Sequence, residues 1–291
     1  MTSHDQNFKN LFIDYPLQAL RFFAPSEARY IDATATITPV RQEQLQDKLG
    51  ERYHELDCPL LVDWPDQRRE ALLFVLEEET EPKRFSIHRL ARYCLHLAEM
   101  FETDRVVPVV VFLRRGRYAT DLKLGSEQKT YLDFKTVVCD ISRLPYQKYL
   151  HEDNIPACVN LPNMADAETN KLAVYAHATR RLRQLEPDLR KLAKYLDFID
   201  IYSALTEQER NEYTHRYPEE AKYMSAFAER FRQEGLQKGL KKGLLQGHQE
   251  GHQEGLYQVA SNLLNKGSDL NFVQEVTGLS AQDMQQLRNN A

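Results

Sequence analysis

Cysteines are few in this sequence, and none stands close enough to another to form a metal-binding pair. Cys58, Cys94, Cys139 and Cys158 are scattered over 291 residues without a CxxC motif. Zinc sites commonly use such pairs, so a zinc site is not expected, and the cysteines are interpreted as reduced thiols of the core.

Long apolar runs are also missing. No uninterrupted run approaches the length that crosses a membrane, and the N-terminus lacks the charged start and apolar run of a signal peptide. The net charge of −5 argues against a surface that binds nucleic acid uniformly, although it allows a local basic site. With 42% hydrophobic and 28% charged residues, the composition is typical of a soluble globular protein, and we expect a cytoplasmic one.

Among the features that are present, residues 51–79 carry the most information. Two apolar segments flank a polar turn at 64–69, which is the pattern of a β-hairpin. Asp57 lies in the first segment, and three glutamates, 77–79, close the second. Because strand side chains alternate, Glu77 and Glu79 point to one face, and pairing around the turn brings Asp57 near them.

Carboxylates that converge in this way repel one another and lose hydration, and a hard divalent cation among them offsets both costs. Ligand sets made only of oxygen suit Mg²⁺ or Mn²⁺. Asp63 is a further acid, but it adjoins the turn and is interpreted as a solvated turn residue. The hairpin therefore predicts a metal site among the acids at its far end.

Helices are predicted before the hairpin. The apolar spacing of residues 4–23 indicates two short helices separated by Pro16. On the first of them, Asp5 and Lys9 are four residues apart and form either a surface ion pair or part of the site. Residues 33–44 are interpreted as an irregular connection.

A basic helix is predicted directly after the hairpin. It begins at Pro82 and places Phe85 and other apolar residues on its inner side. A basic helix in this position can neutralise carboxylates or contact phosphates. The alternative is a solvated face with a tyrosine in the core. The residues concerned are Lys83, Arg84, Arg89, Arg92 and Tyr93.

Two further strands follow. Residues 105–113 form the most apolar run and predict a buried strand, which ends in a basic turn at 114–117. Residues 131–141 are predicted to form one strand, in which Asp140 is near the end. Two strands, a helix and two strands make an α/β or α+β pattern. Beyond it, helices are predicted at 168–196, split by Pro187, and then at 198–217 and 218–232.

Glycine then occurs at every fourth position from Gly235 to Gly255. In a helix these glycines form a stripe that winds by about 40° per step, and each costs about 0.5–1 kcal/mol relative to alanine. Such a helix needs close packing, for example against a second copy of the chain, and the alternative is a flexible tether. His248 and His252 have helical spacing for a metal, but little else nearby supports a site.

The last segment, 257–287, has the rhythm of a helix-turn-helix. Its final helix carries only Arg288 as a positive charge, which favours a packing module over a reader of DNA. Glycines end the first two helices, and polar side chains at helix-capping positions begin the next ones. These residues are Gly267 and Gly278, Ser268 or Asp269, and Ser280 with Asp283.

In their order and spacing, these motifs resemble the recombination-promoting nuclease and transposase-related (Rpn/YhgA-like) family of the PD-(D/E)XK restriction-endonuclease-like superfamily. The motifs are HDQNFKNLF at 4–12, ELD at 55–57, LLFVLEEE at 72–79, RLARYCLHL at 89–97, PVVVFLRRG at 108–116, the glycine repeat at 235–255 and TGLS at 277–280.

The resemblance implies an α/β fold with a PD-(D/E)XK nuclease-like core at 1–150 and a helical C-terminal extension. The extension comprises a helical region at 151–232, the glycine-repeat segment at 233–258 and a helix-turn-helix-like end at 259–291. The activity that it implies is a metal-dependent DNA endonuclease, associated with recombination or transposition.

The resemblance also assigns residues. Asp57 and Glu77 match the family's ligands for Mg²⁺ or Mn²⁺, and Asp5 matches an acidic position of the first helix. Arg89 and Tyr93 match a helix pattern beside the site. Contacts with DNA phosphates are expected from Lys9, Arg89, Arg92 and Tyr93.

One residue departs from the family pattern. Glu79 stands where the family usually has glutamine and the wider superfamily has lysine. A glutamate can serve as a third metal ligand or as a general base toward water, or it can indicate impaired catalysis. The alternatives are therefore a nuclease-fold protein that binds DNA or forms oligomers, and a metal-free structural protein. A homodimer through residues 235–255 is consistent with each of them.

Overall fold

The structure is a computed structural model that describes residues 4–40, 58–66, 68–77, 85–280, 282–283 and 285. The chain divides into two compact units, Met1–Ala221 and Lys222–Ala291. The domain boundaries drawn from the sequence at 150, 232 and 258 remain predictions.

Short helices rich in aromatic residues begin the first unit. They are α1 (His4–Asp14), α2 (Pro16–Phe23) and α3 (Pro25–Ala28). The predicted break at Pro16 is confirmed, because the fixed φ of proline suits the first turn of a new helix. Their buried apolar side chains include Phe8, Leu11, Phe12, Leu20 and Phe23.

The described residues contain seven strands: β1 (Thr36–Pro39), β2 (Cys58–Asp63), β3 (Arg69–Glu77), β4 (Val106–Phe112), β5 (Asp121–Gly125), β6 (Thr130–Lys135) and β7 (Val137–Asp140). Five of them form a sheet in the order β1-β2-β3-β4-β7, antiparallel from β1 to β3 and parallel from β3 to β7. The predicted hairpin is confirmed as β2 and β3, in which Cys58 pairs with Phe74 and Asp63 with Arg69.

Two predictions about this region are wrong. Residues 33–44 are not wholly irregular, because Thr36–Pro39 form β1 and pair with β2. Residues 131–141 are not one strand. β6 pairs with β5 in a separate two-stranded sheet, whereas β7 joins β4 in the main sheet. Between β6 and β7, the backbone N–H of Thr136 donates to the carbonyl of Thr120.

Helix α4 (Ile87–Phe101) connects β3 to β4 and begins later than predicted. Phe85 and Ser86 are not helical, and the Ser86 hydroxyl accepts a hydrogen bond from the Arg89 backbone N–H at 3.3 Å. Ser86 is thus the N-cap, since it satisfies a donor that the helix itself leaves unpaired. The predicted start at Pro82 lies outside the described residues.

The buried strand β4 is confirmed. Its Val110 and Phe112 pack against Leu90, Tyr93 and Leu97 of α4. Val109 and Val111 point to the opposite face by strand alternation and are fully buried as well. Both faces of β4 are therefore covered, which explains why its sequence is apolar without alternation.

Helices complete the first unit: α5 (Ile155–Val159), α6 (Lys171–Leu185), α7 (Leu189–Ser203) and α8 (Glu207–Arg216). Short 3₁₀ turns lie at Ile141–Arg143, Tyr146–Lys148, Leu161–Asn163 and Glu168–Asn170. The predicted division at Pro187 is confirmed, with Asp188 as the N-cap of α7. The predicted helix at 198–217 is instead interrupted, since Ala204 ends α7 with a left-handed φ of 45°.

These helices pack against the start of the chain. The Phe8 and Phe198 rings are 5.2 Å apart, and the Asn154 side chain donates to the Gln18 carbonyl at 2.9 Å. Lys194 Nζ and the Tyr195 hydroxyl both donate to Asp14 Oδ2, at 2.8 and 2.7 Å. Residues 151–203 and helices α1 and α2 thus share one core.

The glycine repeat is helical. It lies within α9 (Pro218–Asn265), which is followed by α10 (Leu270–Thr277). A Cβ added at any glycine from Gly235 to Gly255 would meet open space. The segment is therefore a helix and not a flexible tether. In the described part of the chain, no contact requires glycine at these positions.

Two expectations from the composition concern the cysteines and membrane-spanning helices. Cys94, Cys139 and Cys158 are buried and free of disulfides, as predicted. Burial raises the pKa of each of these thiols to about 12. In the described part of the chain, no helix combines the length and the apolar character needed to span a membrane.

Candidate active site at the carboxyl edge of the sheet

The carboxyl ends of the three parallel strands lie side by side. Glu77, the last residue of β3, pairs with Phe112 at the end of β4, and Phe112 pairs with Asp140 at the end of β7. Neighbouring strands are about 4.8 Å apart, so the Glu77 and Asp140 backbones are separated by about 10 Å. We call this part of the sheet, defined by Glu77, Phe112 and Asp140, the carboxyl edge.

Three side chains hold Asp140. The Tyr118 hydroxyl donates to its Oδ2 at 2.7 Å, the Ser142 hydroxyl donates to Oδ1 at 2.5 Å, and Arg143 Nε lies 2.8 Å from Oδ2. The Asp140 side chain is 9% exposed, whereas that of Arg143 is 61% exposed. Burial and the bond to Asp140 raise the pKa of Tyr118 to about 12, so the tyrosine remains a donor at neutral pH. Asp140 is thereby fixed, and it holds Arg143 toward solvent.

Aromatic packing ties the start of α4 to the same edge. The Tyr118 ring stacks on Phe112 at a centroid distance of 3.5 Å, and the Phe85 ring meets Phe112 at 5.7 Å and 84°. Because Phe85 lies two residues before α4, the N-terminus of this helix is at the carboxyl edge. Backbone N–H groups at a helix N-terminus carry partial positive charge and favour nearby anions.

The predicted cationic face of α4 divides into two kinds of residue. Arg89 and Arg92 are exposed and lie three residues apart, on one side of the helix. Tyr93 is 9% exposed and packs with Leu97 and Phe112 in the core. This packing matches the alternative interpretation of Tyr93 as a core residue, whereas Arg89 and Arg92 are exposed on the helix surface.

Three arginines follow β4 directly, and sequence reasoning did not include them in the site. Arg114, Arg115 and Arg117 are exposed and begin two residues after Phe112. The chain therefore leaves the carboxyl edge through a segment with three positive charges. In the sequence, these arginines form a basic turn after a buried strand. They could be assigned to this site only when the register of β4 with Glu77 was known.

The structure describes only some of the other residues that the sequence assigned to the site. Asp57 and Glu79 lie outside the described residues. Glu77 is described by its backbone alone, and so is Asp5, one turn before the half-buried Lys9 on α1. Cys58, the residue after Asp57, pairs with Phe74, three residues before Glu77.

Asp63 lies at the other end of the sheet. It pairs with Arg69, the first residue of β3, whereas Glu77 is the last. At about 3.3 Å per residue, the two ends of β3 are about 26 Å apart. This separation agrees with the interpretation of Asp63 as a residue of the turn.

Among the side chains that the structure describes, no three histidine, cysteine or carboxylate groups are placed to hold a metal ion. The side chains of the predicted ligands Asp57 and Glu77, and of Glu79, are not part of that set. All three are carboxylates, and a donor set made of hard oxygen atoms suits Mg²⁺ or Mn²⁺.

The second unit ends in a small capped helical motif. Asp269 caps α10 by accepting from the backbone N–H groups of Asn271 and Phe272, and Gly278 ends α10 with a left-handed φ of 67°. Ser280 and Asp283 exchange hydrogen bonds in the predicted capping pattern. The Ser280 hydroxyl and then the Tyr257 hydroxyl lower the pKa of Asp283.

An apolar core supports this motif. Ala260 and Val273 are fully buried and Leu279 nearly so, with Leu256, Tyr257, Leu263 and Leu264 packed around them. The end of α9, α10 and the segment after Gly278 therefore form one packed module. The arrangement agrees with the helix-turn-helix rhythm of the sequence.

Comparison with known proteins gives one match. Residues 253–289 match the family model described as the Rpn/YhgA-like nuclease family, C-terminal HTH domain. Neither the curated proteins nor the solved structures contain a match to this chain. The match covers the C-terminal module, about an eighth of the chain, and does not extend to the first unit.

Proposed function

We propose that this protein hydrolyses phosphodiester bonds of DNA in a metal-dependent reaction at the carboxyl edge. The observation that carries the proposal is the register that aligns the backbones of Glu77 and Asp140 at one end of three parallel strands. Exposed arginines leave the same edge at 114–117. An acidic position flanked by cations suits a reaction at a phosphate, in which a metal needs carboxylates and the substrate needs positive charge.

The predicted metal ligands are Asp57 and Glu77. A divalent cation bound there would lower the pKa of a bound water and offset the negative charge that develops on the phosphate. Glu79 either completes the ligand set or accepts a proton from the attacking water. Asp5, on α1, is a further acid, and the family resemblance matches it to an acidic position near the start of the first helix.

The side chains of this chain position the substrate. Arg89 and Arg92 on α4, and Arg114 after β4, are exposed cations that can contact phosphate oxygens. Arg143 can donate through its outer nitrogens while Asp140 holds its Nε. Lys9 is a further predicted contact.

The order of elements supports a PD-(D/E)XK-like core for the first unit. A hairpin of antiparallel strands leads into α4, and α4 leads into a strand parallel to the second strand of the hairpin. The acidic end of the hairpin and the start of the helix thus come to one edge. Assignment of the whole first unit to that superfamily, with a role in recombination or transposition, is part of the proposal.

A plasmid-nicking assay tests this function. The full chain is expected to nick supercoiled plasmid with Mg²⁺ or Mn²⁺, and Asp57→Ala to abolish nicking. Asp104→Ala is a matched control, because Asp104 is exposed and precedes β4 at the opposite end of the sheet. Equal nicking by the chain and Asp57→Ala, or none by either, contradicts the proposal.

A second function is favoured by a different observation. On α10, Phe272 and Val276 are 52% and 57% exposed and lie one turn apart, beside Glu275. An apolar and acidic helix face fits protein contact better than DNA contact, so it favours an oligomeric interaction protein with impaired catalysis. The other form of this alternative is a DNA-binding protein with impaired catalysis, and metal-independent DNA binding that survives Asp57→Ala, without nicking, supports that form.

A further inference from the structure

Helix α9 carries an exposed apolar stripe. Leu236, Leu240 and Leu244 are 70%, 71% and 75% exposed, and Leu245 is 61% exposed. Glycines lie beside these leucines, and the space over them is open in the described part of the chain. Large apolar side chains that repeat along one side of a helix usually mark a contact surface.

The four-residue period arranges this part of α9 in columns. The glycine column runs from Gly235 to Gly255. The leucine column follows it by one residue and comprises Leu236, Leu240, Leu244, His248, His252 and Leu256. The charged column precedes the glycine column by one residue and comprises Glu234, Lys238, Lys242, Gln246, Glu250 and Glu254. Because successive residues are 100° apart, the leucine and charged columns flank the glycine column on opposite sides.

Charge is divided along the charged column. After Glu234, Lys238 and Lys242 lie on one side of Gln246, and Glu250 and Glu254 lie on the other. Lys238 and Glu254 are equally far from Gln246, and so are Lys242 and Glu250. All four side chains are exposed, and the Gln246 side chain donates to Glu250 at 2.9 Å within the helix.

We propose that α9 pairs in antiparallel orientation with α9 of a second copy of this chain, with the glycine columns in contact and Gln246 near the centre. A twofold axis across two antiparallel helices brings like columns together. Lys238 then meets Glu254 of the partner, and Lys242 meets the partner's Glu250. Four ion pairs result, two on each side of the axis.

The parallel alternative does not give these pairs. A twofold axis along two parallel helices sets the charged column of one copy against the leucine column of the other. Lysines then adjoin leucines, and no ion pair forms between the columns. The charge pattern therefore selects the antiparallel pair.

The glycines allow the two copies of α9 to approach each other closely. A stripe with a period of 4.0 residues exceeds the 3.6 residues of a helical turn, so it winds in the sense that favours a right-handed crossing. Without side chains in the glycine column, the two backbones come close and the flanking leucines cover the contact. This packing offsets the cost of glycine within a helix. Such a dimer would form whether or not the first unit cleaves DNA.

Sedimentation velocity of the full chain over a range of concentrations tests the pairing. The chain is expected to form a dimer. Lys238→Glu with Lys242→Glu makes all four residues of the proposed ion pairs acidic, and Glu250→Lys with Glu254→Lys makes all four basic. Each double variant is expected to weaken the dimer by at least about tenfold, since four attractions become repulsions. An equal mixture of the two variants is expected to dimerise again.

Two further variants complete the test. Lys241→Glu changes charge on the side of α9 away from the glycines and is expected to leave the dimer unchanged. Gly243→Leu with Gly247→Leu introduces strong helix formers but blocks the close approach, so dimerisation is lost while helical circular dichroism is retained. A monomer at every concentration, a monomer that binds anionic lipid vesicles instead, or a dimer unaffected by both charge reversals overturns the proposal.

Discussion

The Tyr118 hydroxyl donates a 2.7 Å hydrogen bond to Asp140, while the Tyr118 ring stacks on Phe112. One side chain thus connects the ends of β4 and β7 and fixes the segment that leaves the carboxyl edge. Three features of the proposed site depend on it: the position of Asp140, the ion pair of Asp140 with Arg143, and the course of the chain after Phe112.

Tyr118→Phe separates the hydrogen bond from the stacking. The ring remains on Phe112, but Asp140 loses one donor, so unfolding free energy is expected to fall by about 1–3 kcal/mol at pH 7. Urea unfolding of the chain and the variant measures this difference. A variant as stable as the chain contradicts the structural role of the bond.

The hydrogen bond between Tyr118 and Asp140 also predicts how stability depends on pH. The folded-state pKa of Tyr118 is raised to about 12, above the usual value of 10. A raised pKa contributes stability that is complete below pH 10 and is lost as pH rises toward 12. The stability difference between the chain and Tyr118→Phe is therefore constant from pH 7 to 9 and shrinks above pH 10. A difference that grows above pH 10 has the wrong sign for this account.

A second polar cluster joins the start of the chain to its helical part. Asp14 accepts from both Lys194 and the buried Tyr195 hydroxyl, and burial and then the bond to Asp14 raise the pKa of Tyr195. Asp14→Ala leaves that hydroxyl buried without its partner, at a cost of about 1–3 kcal/mol.

A double-mutant cycle with Tyr195→Phe checks the origin of that cost. If the bond is responsible, Asp14→Ala destabilises the Tyr195→Phe background less than it destabilises the chain. Urea unfolding at pH 7 gives all four values. Equal effects in both backgrounds show that the loss comes from Lys194 or from packing.

Short sequence patterns predicted the helices and strands that nearby residues alone determine. The Pro16 break, the β2–β3 hairpin and the buried strand β4 are fixed by proline, turn residues and apolar runs near each of them. By contrast, β1 contains Ile37 as its one strongly apolar side chain and is a strand because it pairs with β2. No short window of sequence contains that information.

The same limit explains what was missed at the site. Residues 131–141 have the sequence pattern of one continuous strand, yet β6 and β7 belong to different sheets because their partners are different. Asp140 became a candidate only when its register with Phe112 and Glu77 was known. Tyr118 and the arginines at 114–117 likewise gained meaning from their distance to that edge, which depends on tertiary structure.

The arginines after β4 predict a salt-dependent affinity for DNA. Replacing Arg114, Arg115 and Arg117 with glutamine removes three exposed cations and is expected to lower the slope of log affinity against log salt by up to about 3. Fluorescence anisotropy with a short duplex at several salt concentrations measures the slope. Arg21→Gln with Arg29→Gln, on α2 and beside α3, provides a control of similar charge change. If both variants lose the same slope per charge removed, the effect reflects overall charge and not this surface.

The most direct test of the nuclease proposal is single-turnover cleavage of a DNA duplex with Mn²⁺ by the chain and by Glu77→Gln. Glutamine keeps the size of the side chain but removes the charge that a divalent cation needs. The account predicts cleavage by the chain and by the Asp104→Ala control, with a loss of more than about 100-fold in Glu77→Gln. Cleavage by Glu77→Gln at the rate of the chain, or no cleavage by the chain with either Mn²⁺ or Mg²⁺, would contradict it.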